Sequence, residues 1–202
     1  MPSPSSPGVA AIRTLALVGP AAAGKTSLAE ALLHRAGMIG APGSLERGTM
    51  VSDFDPLERR MQHSLNASIL HLDHAGTRIH CIDTPGGADF LGQSLPALEA
   101  VETAVVVINA ATGIEPMAQR MMDYAATRHL DRLIVVNKID APDIDLQALL
   151  AQIQSTFGKE CLPLNLPDAR ATQVVDCFYN RDGHSDFGTV DAAHRALVEQ
   201  VV

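Results

Sequence analysis

Eight residues near the start of the chain, Gly19-Pro20-Ala21-Ala22-Ala23-Gly24-Lys25-Thr26, restrict its possible folds more than any other stretch. They match G-x-x-x-x-G-K-[ST], the spacing of a loop that wraps a polyphosphate in backbone N–H groups. The flanks suit that reading. Thr14-Leu15-Ala16-Leu17-Val18 has the length and branching of a buried strand, and Ser27 to Ala36 reads as a helix stopped by Gly37. Close approach to phosphate oxygens needs backbone unobstructed by side chains, which Gly24 supplies, and the helix adds free N–H groups and the positive end of its dipole. The pattern predicts that Lys25 reaches the β- and γ-phosphates and that the Thr26 hydroxyl ligates Mg²⁺.

Two further motifs follow at the ends of apolar segments. Arg78-Ile79-His80-Cys81-Ile82-Asp83 runs into Thr84-Pro85-Gly86. An aspartate at the carboxyl end of a strand in an open α/β sheet can hold Mg²⁺ through a water. Gly86 tolerates the dihedrals that turn an N–H towards a γ-phosphate. Leu133-Ile134-Val135-Val136 reads as a buried strand and runs into Asn137-Lys138-Ile139-Asp140. The Asp140 carboxylate can accept from guanine N1–H and the exocyclic amino group, whereas adenine offers neither donor on that edge. Asn137 is expected on the acceptor edge of the base, with the Lys138 stem over the ring. N-K-I-D therefore argues for a guanine nucleotide and against an ATP-dependent kinase.

The 202 residues allow one domain with a substantial core, or a domain and a fragment. Hydrophobic content is 47 % but aromatic content only 3 %, so the core is expected to be Val, Leu, Ile and Ala, as in a helix-covered parallel sheet. A net charge of −8 argues against direct gripping of bare nucleic acid, which needs clustered Lys and Arg. Cys81, Cys161 and Cys177 lack C-x-x-C spacing and read as reduced, mostly buried residues. No apolar run approaches membrane-spanning length, and the start lacks a basic segment followed by an apolar one. The expectation is a cytoplasmic monomer that does not engage a membrane.

From Met1 to Gly8 the chain is too polar and proline-rich to order itself, so residues 1–10 are expected to form a flexible leader. Between Gly37 and Asn66 periodicity is lost. A connection of about thirty residues is uncommon in a compact domain and is usually functional, here as a loop that closes over a γ-phosphate; a disordered insertion is the alternative. Ser68–Asp73 and Arg78–Asp83 predict a hairpin around Gly76, whose His71, His74 and His80 read as edge or solvent-facing residues, not metal ligands. Further on, the pattern predicts a helix from Phe90 to Glu102, a buried strand over Ala104–Ile108 and a helix over Glu115–Arg128 with Pro116 in its first turn. Met117, Met121 and Met122 on that helix read as core. Asp143 or Asp145 is expected to cap a helix that reaches Phe157 and stops at Gly158. Gln173–Tyr179 reads as a strand, and Asp191–Val202 as a helix with no stop signal.

With G-P-A-A-A-G-K-T, V-S-D-F-D-P, D-T-P-G-G-A-D-F and N-K-I-D in order, the chain resembles the G domain of translational GTPases, nearest to elongation factor G and the elongation factor G-like proteins. The likeness covers Ile12 to Phe157, and Cys161 to Val202 is similar to the start of the subdomain which that family inserts. It implies an α/β phosphate-loop (P-loop NTPase) fold, with a mostly parallel sheet flanked by helices. The implied organisation is a leader over 1–10, a GTP-binding core over 11–160 and the beginning of an inserted subdomain over 161–202. It also implies a Mg²⁺-dependent GTPase that binds GTP and GDP and acts on the ribosome through the full-length factor. Carried over residue by residue, Gly19 opens the phosphate loop, and Lys25 and the backbone of Ala22, Ala23, Gly24, Thr26 and Ser27 hold phosphates. Thr26 and Asp83 serve Mg²⁺, Gly86 senses the γ-phosphate, and Asn137, Lys138 and Asp140 read guanine.

The chain departs from that family at several places. Histidine usually follows D-T-P-G and positions the attacking water; Gly87 stands there, so slow hydrolysis is expected. His63 is a candidate substitute. Arg60-Met61-Gln62-His63-Ser64 replaces R-G-I-T, which leaves Ser64 as the candidate metal-binding hydroxyl. Ala22 takes a position where aspartate is common. No S-A-[LK] segment follows N-K-I-D, and the last strand and helix of a G domain are absent, so a truncated N-terminal portion is expected. A GTP hydrolase, a guanine-nucleotide switch with little turnover and an inactive fragment all remain open at this point.

Overall fold

The structure is a computed structural model that describes residues 8–52, 55–61, 63–168 and 171–201. Most of the expected leader, and Asp53 and Phe54 of V-S-D-F-D-P, lie outside the described residues. The chain forms two compact units. One runs to Asn109 and includes Glu115–Asn137; the other comprises Ala110–Ile114 and Lys138 onward.

The first unit is built on a five-stranded sheet. A short 3₁₀ turn, Val9–Ala11, leads into β1 (Ile12–Val18), which the phosphate-loop sequence joins to α1 (Lys25–Arg35). A six-residue helix, α2 (Pro56–Met61), precedes the hairpin β2 (Ser68–His74) and β3 (Thr77–Asp83). A 3₁₀ turn at Ala88–Phe90 opens α3 (Leu91–Glu99), followed by β4 (Thr103–Asn109), α4 (Pro116–Thr127) and β5 (Asp131–Asn137). The strand order is β2-β3-β1-β4-β5. Only β2 runs antiparallel, so the fold is the mostly parallel α/β sheet that the phosphate-loop sequence predicts.

Side chains alternate across the two faces of the central strands. Leu17, Cys81, Leu70, Leu72 and Val105 pack with Ala29 and Leu33 of α1. On the other face Ala16, Val18, Ala104 and Val106 are wholly buried. Small and β-branched residues at those positions let helices approach the sheet closely, and the core holds few aromatic groups. Met121 and Met122 of α4 are buried core residues, as expected, whereas Met117 is only half-buried.

Three expectations for the first unit need correction. The helix predicted over Phe90–Glu102 ends at Glu99, because Thr103 already enters the β4 ladder beside Leu15. The strand predicted as buried over Leu133–Val136 is an edge strand with one neighbour among the described residues, so Leu133 is 38 % exposed. The stretch from Gly37 to Asn66 is not without regular structure, since α2 lies within it.

Gly19 follows β1 directly, with φ at +132° and an ideal Cβ only 2.5 Å from the Val107 carbonyl oxygen. Gly19→Ala is expected to destabilise the fold by about 1–3 kcal/mol through backbone strain and that collision. Urea denaturation checks this, and an unchanged midpoint would contradict it.

In the second unit Asp145 caps α5 (Leu146–Phe157), its carboxylate accepting from the Ala148 N–H at 2.9 Å. Strands β6 (Asn165–Asp168) and β7 (Gln173–Asp176) pair antiparallel, the strand expected over Gln173–Tyr179 ending at Asp176 where its partner runs out, and α6 (Val190–Val201) follows. Leu166, Cys177, Val190 and Leu197 form its small core. The sequence reading missed β6, which is four residues long and contains Pro167. Among the described residues, no helix is long and apolar enough to cross a membrane.

Candidate functional site

Helix α1 begins without a side-chain cap: Gly24, in the left-handed region, is its N-cap, and the first turn holds no acidic residue. The first N–H groups of a helix lack intrahelical partners, so an uncapped start is a ready anion cradle. Ala22 also has positive φ, +58°, a conformation that turns successive loop amides in one direction.

Lys25 is 5 % exposed, and its ammonium donates to the carbonyls of Gly19 at 3.0 Å and Pro20 at 2.7 Å. Burial lowers its pKa to about 8, against the opposing charges of Asp83 and Glu115. A buried ammonium at the mouth of an amide-lined loop suits a polyanion, whose charge would relieve that desolvation.

Asp83 ends β3 and is 1 % exposed. Its Oδ2 accepts from the Thr26 hydroxyl at 2.7 Å, and the Ser64 hydroxyl lies 3.3 Å from Thr26 Oγ1. Three oxygen groups from separate segments thus meet at the start of α1. Two hydroxyls and a carboxylate are hard donors of the kind Mg²⁺ prefers, so this set fits that metal.

The D-T-P-G turn is fixed from both sides. The Thr84 hydroxyl donates to Leu17 O at 2.7 Å, and Ser94 of α3 donates to Pro85 O at 3.1 Å. Gly86 lies against the phosphate loop, where an ideal Cβ would meet the Lys25 ammonium and stand 2.5 Å from Ala21 N. No larger residue fits there without moving the loop. At Gly87 a Cβ would stand 2.9 Å from the Phe90 ring, whose centroid is 6.5 Å from that of His63.

Asn137, at the end of β5, donates through Nδ2 to Ala23 O at 2.9 Å, which ties the strand to the phosphate loop. Lys138 and Asp140 belong to the second unit. Both are exposed there, and Lys138 has φ at +59°. His71 and His80 face each other across the β2–β3 ladder, with ring centroids 6.4 Å apart.

Sequence reasoning missed the residues that hold the long loop. Glu30 of α1 is 1 % exposed and accepts from Gly43 N at 2.7 Å and Val51 N at 2.5 Å. Glu58 of α2 is also 1 % exposed and accepts from Leu65 N and Asn66 N, both at 2.9 Å. A local signal for α2 exists in Asp55-Pro56-Leu57-Glu58, which is a capping box with proline at the first helical position.

The protein-family model described as "Elongation factor Tu GTP binding domain" matches residues 10–198. The chain belongs to the elongation factor Tu GTP-binding domain family. It is 33 % identical over 211 residues to an elongation factor G-like protein of Mycobacterium tuberculosis, a match covering 99 % of this chain and 30 % of that protein. It is 34 % identical to elongation factor G 2 of Streptomyces coelicolor, over 82 % of this chain and 24 % of the relative. Against peptide chain release factor 3 of Symbiobacterium thermophilum the identity is 30 %, over 85 % and 33 %. A crystal structure of a Thermus thermophilus protein superposes with a TM-score of 0.83 at 32 % identity, covering 94 % of this chain and 31 % of that one. The chain therefore spans a third or less of the length of these relatives in the elongation factor Tu GTP-binding domain family.

Proposed function

We propose that the chain is the GTP-binding and GTP-hydrolysing domain of an elongation factor G-like protein that acts on the ribosome, in the cytoplasm. The convergence of Thr26, Ser64 and Asp83 beside the buried Lys25 carries this reading. The loop amides from Ala22 to Ser27 hold the phosphates, and Lys25 exchanges its loop carbonyls for β- and γ-phosphate oxygens. Thr26, Ser64 and Asp83 hold Mg²⁺, which when bound neutralises phosphate charge. Gly86 presents its N–H to the γ-phosphate. Asn137, Lys138 and Asp140 recognise guanine.

In hydrolysis a water oxygen bonds to the γ-phosphorus, the bond to the β–γ bridging oxygen breaks, and the water's proton passes to phosphate. Positioning that water is where this chain is weak. Gly87 offers no side chain to orient it, which supports slow turnover and a nucleotide-dependent switch as the second reading.

Titration calorimetry with GDP and with ADP in Mg²⁺ tests the reading. Binding of GDP alone is expected; equal affinity for both, or none for either, would refute it. Hydrolysis with and without ribosomes then separates an enzyme from a switch.

Affinity should also depend on pH. The free protein loses the Lys25 proton near pH 8, and a bound polyphosphate favours the charged form. Binding above that pH must therefore take up a proton, and GDP affinity is expected to fall by up to about tenfold per pH unit between pH 8 and 10. Calorimetry across that range checks the slope; a flat profile would separate Lys25 from phosphate binding.

A further inference from the structure

The segment from Asp55 to Asn66 exposes Leu57 and Met61, so it has little apolar surface with which to hold itself down. Its one helix, α2, is six residues long, well short of the length at which a helix is stable alone. Yet Ser64 stands with its hydroxyl 3.3 Å from that of Thr26. Something specific must keep it there.

Glu58 is the group so placed. Its side chain is almost wholly buried, and one carboxylate oxygen, Oε1, takes both the Leu65 and the Asn66 N–H groups at 2.9 Å. Those are the two residues immediately after Ser64. The other oxygen, Oε2, lies 3.4 Å from Asp55 N, while Asp55 Oδ1 accepts from Leu57 N at 2.7 Å. One carboxylate therefore closes both ends of the segment from Asp55 to Asn66. Consecutive Cα atoms are about 3.8 Å apart across a trans peptide, so fixing the Leu65 and Asn66 amides leaves the Ser64 Cα little room to wander. Burying a carboxylate is costly unless it is hydrogen-bonded, and here the bonds go to the backbone beside the hydroxyl.

We propose that Glu58 is a positioning residue for Ser64. It touches neither nucleotide nor metal. It holds the Ser64 hydroxyl opposite Thr26 and Asp83, and because Ser64 lies in the loop expected to close over a γ-phosphate, it favours a Mg²⁺-bound nucleoside triphosphate over the diphosphate. This rests on the reading of the site given above.

The test compares Glu58→Ala, Glu58→Gln, Ser64→Ala and the Glu58→Ala/Ser64→Ala double variant. Affinity for GDP and for a non-hydrolysable GTP analogue is measured across a Mg²⁺ titration. Glu58→Ala is expected to leave GDP affinity within about twofold and to weaken the Mg²⁺–GTP analogue by about 10–100-fold, the usual effect of removing a group that orients a metal ligand. Glu58→Gln keeps an acceptor oxygen for Leu65 and Asn66 and should retain most of the triphosphate affinity. The double variant should be no worse than Ser64→Ala, because the two residues act as one. Equal loss of GDP and GTP-analogue affinity, or additive effects, would overturn the proposal and leave Glu58 a structural residue only. If the parent chain binds neither nucleotide, the reading of the site fails instead. Amide exchange then judges the tether: Glu58→Ala must deprotect Ser64 to Asn66 while β1 and α1 stay protected, and loss spread over the whole unit would overturn it.

Discussion

Lys25→Ala is expected to weaken GDP and GTP binding by about 30- to 4,000-fold, at the upper end to below detection in a routine titration. Removing one partner of a desolvated charge pair costs roughly 2–5 kcal/mol, and each 1.4 kcal/mol is about tenfold in affinity. The opposite sign is expected for the free protein. Burial depresses the Lys25 pKa to about 8, so at pH 7 the fold carries an ammonium that it would hold more easily uncharged. The unfolded chain binds more protons than the folded one between about pH 8 and 10.5, so this group's contribution makes stability rise with pH there. Alanine removes that dependence. Calorimetry together with thermal unfolding at pH 7 and pH 9.5 checks both halves. A variant that binds GDP as tightly as the parent would refute the phosphate site. One that loses binding only because it unfolds would show no cooperative transition.

Asp140→Asn carries the second large effect. A carboxylate accepting two guanine N–H groups makes a bidentate contact, for which discrimination is about 1–3 kcal/mol, or roughly 5- to 150-fold. An amide in its place turns one acceptor into a donor. Guanine then faces a donor with a donor, whereas xanthine, with a carbonyl at position 2, accepts from it. GDP affinity is expected to fall by that factor while xanthosine diphosphate affinity holds or rises. Competition of the two nucleotides for the variant reads the change directly, and equal weakening of both would sink the base assignment. Asp140 is exposed and makes little contribution to packing, so the variant should unfold like its parent.

The sheet and the loop ends were legible because their signals are local. Five residues of β1, the glycines of the phosphate loop and the run through Asp83 each carry periodicity or turn chemistry within a dozen positions. The edge position of β5 was not legible, since a run such as Leu133–Val136 looks the same whether one neighbour or two flank it. Nor was the order in the long loop. Glu30 reaches amides thirteen and twenty-one residues downstream, and Glu58 reaches seven and eight. Both look like ordinary charged helix positions in sequence, and only three-dimensional closure buries them. The meeting of Ser64 with Thr26 was expected from the family resemblance, not from spacing, because thirty-eight positions separate them.

The central place of β1 bears on how the chain comes off the machinery that makes it. This strand is synthesised before the partners on either side of it: Arg78 lies opposite Ile12, and Thr103 opposite Leu15. At about 5–20 residues per second, the 66 and 88 residues in between (78 − 12 and 103 − 15) take roughly 3–18 s to appear. For that interval an apolar strand waits without its ladder, exposed to chaperones and to neighbouring nascent chains. Slowing synthesis before Thr103 should therefore lower the soluble yield more than slowing it afterwards.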